Sequence, residues 1–335
     1  MLHLRIEAIN WETPDTATFY LKDSEGKQLA YTAGQFITLV FKHRDQEIRR
    51  SYSLSSAPGE KFLAITIKRI ANGEISRYML TKLKIGDVLT AVEPAGRFTF
   101  KRLHAKADLF LFAAGTGITP IYSMIKERLS KAGQSVLTLF YSSNPGVLFR
   151  AELDELASKH PERLTIVYLI SSEGNRLNNF SIEPLVRQYL RFKLEDAEFY
   201  LCGPFSYMRM VRLTLLYLGV DANNIRTEKF VIETVKIPGS PVNYSPGFVK
   251  INWKGERFDI ATGENQTILQ AALQNGIQLP YSCRVGSCST CAAICKSGKV
   301  VMSANEVLTD EDLRQGFVLT CTGHVIGDGV EIAFS

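Results

Sequence analysis

Four cysteines constrain this 335-residue chain more than anything else in it. Cys283, Cys288, Cys291 and Cys321 stand in the pattern C-x4-C-x2-C-x29-C. An iron–sulfur cluster with two irons needs four converging thiolates. A tight loop can supply three of them, and the fourth has to return from elsewhere in the fold. The loop from Ser282 to Cys291 is rich in small residues and holds Gly286, so backbone amides can approach the sulfurs and hydrogen-bond to them. A 2Fe–2S cluster is therefore the expected occupant. Two other readings compete with it. A tetrathiolate zinc site is one, although structural zinc usually draws on paired C-x2-C knuckles and Cys321 has no such pair. Unrelated buried cysteines are the other, but five of the six cysteines fall in the last 53 positions, and crowding of this kind favours metal ligation over disulfides. Cys295, outside the pattern, reads as a small buried hydrophobe.

The chain divides into three patterns. Residues 1–103 carry short alternating strands separated by turn residues, which predicts an antiparallel β-barrel, with one helix over 77–83 and Ser76 as its N-cap. Residues 104–232 alternate strands (107–113, 135–141, 164–170, 198–202, 225–230) with amphipathic stretches near 121–131, 150–159, 182–190 and 206–218. That alternation predicts a parallel sheet with helices on both faces. Residues 233–246 hold three prolines and a glycine without periodicity, and read as a linker. Beyond it, 247–335 shows a hairpin turning at Lys254-Gly255, a short helix over 267–274 and the cysteine loop. The expected class is multidomain: a β-barrel, an α/β domain and a small α+β domain.

Charge is uneven. From Gly247 onward seven Lys or Arg oppose nine Asp or Glu, a balance of −2, so the first 246 residues carry +7 of the net +5. A basic front suits anionic ligands such as nucleotide phosphates, or is merely a solvated surface. No Lys/Arg block suggests nucleic acid. The longest apolar runs are strand-length, so no membrane span is expected, and the N-terminus shows no secretory pattern, which makes the cytoplasm the expected location.

Two motifs in the first pattern suit a flavin. Arg50-Ser51-Tyr52-Ser53 combines a stacking ring, hydroxyls for the reactive N5 and a guanidinium that can fork onto phosphate. Ile67-Lys68-Arg69 leads to Gly73-Glu74-Ile75-Ser76 and a helix, where Gly73, the helix N-terminus and the Ser76 hydroxyl could hold a pyrophosphate. An ordinary strand, turn and capped helix would look the same. In the second pattern, strand 107–113 runs into Gly115-Thr116-Gly117-Ile118-Thr119-Pro120. The two glycines can expose amides to phosphate, and Pro120 suits a first helical position. Cys202-Gly203-Pro204 ends a later strand.

With these pieces in place, residues 247–335 resemble a plant-type ferredoxin domain, and the first 230 resemble the ferredoxin–NADP reductase family. The whole order resembles the reductase subunits of phenylacetyl-CoA epoxidase and related oxygenases or desaturases. The resemblance implies FAD at the flavin motifs, since FMN-binding members generally lack the second one. It also places Cys202 beside a nicotinamide, with the Gly203-Pro204 turn leaving room, and Glu228 and Phe230 near the flavin, Phe230 as a shield or as simple core. No acidic residue follows the second strand of the α/β domain, while Ser142, Arg150, Ser171 and Arg176 could read a 2′-phosphate, so NADPH is expected over NADH. The acidic segment Thr309–Asp312 reads either as a capped helix start or as a docking face. The five histidines are scattered and read as structural.

Nicotinamides deliver two electrons together and clusters accept one, so a flavin between them is chemically sensible. The expected function is an NAD(P)H-dependent reductase for a terminal oxygenase, with Ser53, Cys202 and Glu228 at the hydride-transfer centre. A reductase for another acceptor, such as a hybrid-cluster or haem protein, is the alternative. A non-catalytic iron–sulfur sensor or carrier is a third reading, disfavoured by intact flavin and nucleotide motifs.

Overall fold

The computed structural model describes residues 1–43, 46–101, 106–143, 146–230 and 243–334. The chain forms two compact units, Met1–Val231 and Ile232–Ser335. The expected boundary at 103/104 and most of the expected linker lie outside the described residues.

The first unit begins with β1 (Leu2–Thr13), β2 (Thr16–Asp23), β3 (Phe36–His43), β4 (Gln46–Ser53), β5 (Leu63–Lys68), α1 (Glu74–Lys82) and β6 (Val88–Ala95). These six strands form an antiparallel sheet in the order β4-β3-β6-β1-β2-β5. A bridge between Leu54 and Ile65 joins its two edges and closes it into a barrel. Alternation along β1 and β2 sends Leu4, Ile6, Phe19 and Leu21 into one core with Ile37, Leu39, Ile65 and Met79.

The same unit continues with β7 (Asp108–Ala114), α2 (Ile118–Ser130), β8 (Val136–Ser143), α3 (Arg150–Lys159), β9 (Leu164–Ile170), α4 (Asn179–Tyr189), β10 (Glu198–Cys202), α5 (Phe205–Tyr217) and β11 (Ile225–Glu228). All pairings are parallel, and the order is β11-β10-β7-β8-β9. The three central strands, β10, β7 and β8, are nearly continuous runs of buried residues, as sheets covered on both faces require. From β7 the chain first winds toward β9 and then crosses back to β10 on the other side of β7. The crevice beyond the ends of β7 and β10 is thus the topological switch point where such sheets bind ligands.

Barrel and sheet share their packing. Ala33, Phe98 and Phe100 from the barrel side join Leu109, Leu111, Ile121 and Met124 in one hydrophobic cluster. Lys126 on α2 pairs with Glu60 at 2.6 Å, and Ser123 donates to the Ser56 carbonyl.

The second unit contains β12 (Gly247–Trp253), β13 (Glu256–Thr262), α6 (Ile268–Gln274), β14 (Ala292–Met302), α7 (Asp310–Arg314), β15 (Phe317–Leu319) and β16 (Gly323–Ala333). Its mixed sheet runs β13-β12-β16-β14-β15, with β12 and β16 parallel. Helix α6 adds Ile268, Leu269, Ala271 and Ala272 to the core. Lys254 and Gly255 turn the β12–β13 hairpin with φ of 53° and 80°, the left-handed pair of a tight two-residue turn. Thr267 and Thr309 both cap their helices with reciprocal side-chain bonds, to Gln270 and Asp312. Asp312 is 2% exposed and closes the helix start, while Asp310 beside it is exposed. No described helix is long and apolar enough to cross a membrane.

Candidate active site

The Leu54–Ile65 bridge places the Arg50–Ser53 segment beside the strand that leads to Lys68 and Gly73, so both expected flavin motifs sit on neighbouring strands. Tyr52 is half-buried, and burial pushes its phenol up to about 12. Arg50 on the same strand face is exposed, with Nη1 donating to the Arg49 carbonyl at 2.8 Å. Ser51 bonds Thr38 at 2.9 Å, and Ser53 is buried. The side chains of Ile67 and Ile75 lie in the barrel core, leaving only their backbone to reach a ligand.

Ser76 is placed differently from the sequence expectation. Helix α1 starts at Glu74 with Gly73 as N-cap, so Ser76 is its third residue. The Ser76 hydroxyl accepts from the Ile70 amide at 3.1 Å and donates to the Gly73 carbonyl at 3.3 Å, stitching the turn together. A Cβ on Gly73 would meet Ser76 Oγ at 2.7 Å and Ile70 Cβ at 2.8 Å, which explains the glycine. No side chain caps α1, so its first amides are available to an anion, as a flavin pyrophosphate would require.

A cleft of about 1370 Å³ opens at the sheet's switch point. Gly115, Thr116, Ser142, Ser171, Arg176 and Pro204 line one side of it. The β1–β2 turn, unmarked in the sequence, and Lys68, expected at the flavin, line it too, and Lys68 is 3.6 Å from Asp15 there. Gly115 adopts φ 55° in a single 3-10 turn that runs directly into α2. Helix α2 therefore begins at Ile118, and Pro120 is its third residue instead of its first. Thr119 is buried and donates to the Thr116 carbonyl at 3.0 Å. Gly117 is buried against β10: a Cβ there would lie 2.1 Å from the Cys202 carbonyl oxygen. Its role is close packing of helix on strand.

Cys202 is fully buried, and burial pushes its thiol well up, with Glu228 adding to the effect. Glu228 is its register partner on β11. Protein atoms crowd Glu228 although part of its surface stays open, and burial raises its carboxyl to about 8. Phe230 is 44% exposed beyond β11 and is no core residue. Arg150 departs from expectation: it lies 3.8 Å from Asp154 and stacks over the Tyr168 ring, and it does not line the cleft. Tyr207, another cleft residue, went unnoticed in the sequence because nothing local marks an aromatic in a helix's first turn as a ligand group.

In the second unit three cysteines sit in the loop before β14, and Cys321 returns just before β16. The Cys283 amide donates to Cys288 Sγ at 3.4 Å and the Val285 amide to Cys283 Sγ at 3.5 Å. Gly286 has φ 82°, and a Cβ there would meet the Ala304 carbonyl at 2.7 Å. Hydrogen bonds from Cys288, and secondarily from Cys321, hold Cys283 far below the usual thiol range; one from Cys321 likewise lowers Cys291. Among the described residues no trio of His, Cys, Asp or Glu is spaced for a single metal ion. Cys295, half-buried, contacts the Ser297 carbonyl at 3.3 Å and stays outside the group. Four neighbouring sulfurs, with backbone amides aimed at Cys283 and Cys288, fit a two-iron cluster.

Comparison with known proteins identifies the three domains. Residues 3–100 match the oxidoreductase FAD-binding domain, 111–213 the oxidoreductase NAD-binding domain and 251–325 the 2Fe-2S iron-sulfur cluster binding domain. The ferredoxin reductase component of 3-ketosteroid-9-alpha-monooxygenase from Mycobacterium tuberculosis is 32% identical over 100% of this chain and 96% of that protein. This chain belongs to the ferredoxin reductase-component family. A component of the 1,2-phenylacetyl-CoA epoxidase of Escherichia coli is 30% identical across 99% of the reductase and 97% of its own length. Phthalate dioxygenase reductase, 24% identical with a TM-score of 0.61, shares the fold over 99% of this chain and 97% of its own. The reductase is thus an NAD(P)H-dependent flavin and iron–sulfur oxidoreductase with FAD-, NAD- and 2Fe–2S-binding domains.

Proposed function

We propose that this reductase passes electrons from NADPH through FAD and the 2Fe–2S cluster to a terminal oxygenase. The observation that carries the reading is the coexistence of the switch-point cleft and the four-cysteine loop in a chain that matches oxygenase reductase components along its full length. FAD, when bound, supplies the means to accept a hydride and release electrons one at a time.

The chain's own residues set the conditions for that chemistry. Tyr52 offers its ring, Ser53 a hydroxyl beside it, and Arg50 and the first amides of α1 a cradle for phosphate, with Lys68, Arg69 and Gly73 shaping the approach. The Gly115–Gly117 turn and the start of α2 donate amides to the nucleotide phosphates. Gly203 and Pro204 leave room for the nicotinamide next to Cys202, Glu228 holds a proton beside it at neutral pH, and Phe230 covers the flavin when no nicotinamide is present. Arg176 and Ser171 at the cleft rim favour a 2′-phosphate, and hence NADPH. Cys283, Cys288, Cys291 and Cys321 would hold the irons.

Anaerobic titration with NADPH and NADH, following flavin and cluster absorbance, tests the reading. Bleaching of both chromophores with faster reduction by NADPH is the expected result. A cluster that stays oxidised while flavin bleaches would refute the electron path. Co-purification of a di-iron or Rieske-type oxygenase from the source cells would distinguish an oxygenase partner from a haem or hybrid-cluster acceptor.

A further inference from the structure

Tyr207 stands in the first turn of α5 and lines the switch-point cleft. Its hydroxyl donates to the Ala113 carbonyl at 3.3 Å and also faces Ser142. Its ring lies against the turn after β10, where a Cβ on Gly203 would be 3.3 Å from Tyr207 Cδ1. Ala113 is the register partner of Cys202, and its neighbour Ala114 is the partner of Ser142. One phenol therefore meets β7 at Ala113, β8 at Ser142 and the turn that follows β10 at Gly203.

Packing alone does not ask for this hydroxyl. A phenylalanine would fill the same space, and a crowded phenol is costly unless it is hydrogen-bonded. The Ser142 hydroxyl is itself buried, beside the Tyr207 phenol at the edge of the cleft. A second phenol works in parallel: fully buried Tyr141 donates to the carbonyl of Gly115, the left-handed residue of the phosphate turn, at 3.2 Å.

We propose that Tyr207 is a positioning residue for the nicotinamide nucleotide, its hydroxyl fixing the spacing between the phosphate turn after β7 and the Cys202–Pro204 turn after β10, with Ser142 acting through it. This rests on reading the cleft as the nucleotide site. Tyr207→Phe removes a bond inside the protein, so it reaches nucleotide affinity only through a loosened spacing of the two turns.

The test uses the full chain loaded with FAD and cluster. Calorimetric titration of the oxidised protein with NADP⁺ and NAD⁺ gives Kd without turnover, and anaerobic stopped-flow gives the limiting rate of flavin bleaching by NADPH. Tyr207→Phe is expected to raise Kd several-fold and to lower the limiting rate, while photochemically driven reduction of the cluster stays as in the wild type. Ser142→Ala should act in the same direction and add little when combined with Tyr207→Phe. A lower Tm with unchanged Kd and limiting rate would reduce Tyr207 to packing and overturn the proposal, as would full additivity of the two variants. Failure of the wild type to bind either nucleotide would instead overturn the reading of the cleft.

Discussion

Cys202 and Glu228 face each other across the parallel pair of β10 and β11, a buried thiol beside a carboxyl that keeps its proton to about pH 8. Both lie at the strand ends where hydride transfer is proposed, so the protonation of Glu228 decides whether a negative charge stands there. Flavin bleaching by saturating NADPH should therefore change rate with an inflection near pH 8. Glu228→Gln should remove that inflection. The sign for stability follows as well: a carboxyl raised in the folded state binds its proton more tightly than the unfolded chain, so folding weakens as pH rises from the unfolded value toward 8. Thermal melts should then show Glu228→Gln gaining on the wild type between pH 6 and 9; a constant gap would contradict the shift.

Cys321→Ser should abolish the visible absorbance and electron paramagnetic signal of the cluster while leaving flavin bleaching by NADPH intact. Cys295→Ser should retain the cluster, because the Cys295 sulfur contacts backbone carbonyls of its own strand. Cluster content in both variants, measured as iron per protein, checks the assignment.

Gly117→Ala places a methyl where the Cys202 carbonyl already stands, 2.1 Å from its oxygen. Helix α2 and β10 must separate to admit it. A loss of about 1–3 kcal/mol in denaturant unfolding is expected, together with weakened nucleotide binding. Gly115→Ala meets no atom within 4 Å but is strained by its φ of 55°, and should cost about 1 kcal/mol.

Arg176→Ala should raise KM for NADPH about tenfold or more, in keeping with loss of a charge-assisted bond, and leave KM for NADH nearly unchanged. Arg150→Ala should leave both unchanged, since its guanidinium is stacked over Tyr168. An equal rise for both nucleotides in Arg176→Ala would remove it as a reader of the 2′-phosphate.

His324 stacks on Tyr244 with ring centres 3.8 Å apart and its Nδ1 at 3.2 Å from the Gln266 carbonyl. Burial lowers its pKa below the usual value. The unfolded chain thus binds the proton first as pH falls, so stability of this unit should decline from about pH 7 to pH 5. His324→Gln should flatten that decline in circular-dichroism melts.

Local patterns foretold much of this architecture. The bounds of α3, β9 and β10 follow their apolar periodicity, and the Lys254-Gly255 turn has the backbone such a pair implies. Helix starts were less legible. Ser76 looks like a cap by residue type, yet Gly73 lies closer to Ile70 than any side chain would permit, and the helix begins there. Pro120 looks like a first helical residue, but the 3-10 turn at Gly115–Gly117 flows straight into α2 and starts it earlier. The far wall of the cleft, around Asp15 and Lys68, and the Tyr207 bridge depend on residues distant in sequence meeting only after folding. The partners of Arg150, Asp154 and Tyr168, were likewise not legible, since they are set by α3 packing on β9.

Phe98 and Phe100 leave the barrel only to be buried with Leu109 and Ile121, so the barrel owns no complete core at that end. A gene fragment cut near residue 100 would present both rings to water and recruit whatever apolar surface it met. Shuffling between reductases, by evolution or by chimera building, should succeed when Met1–Val231 travels as one cassette and fail when the barrel is exchanged alone.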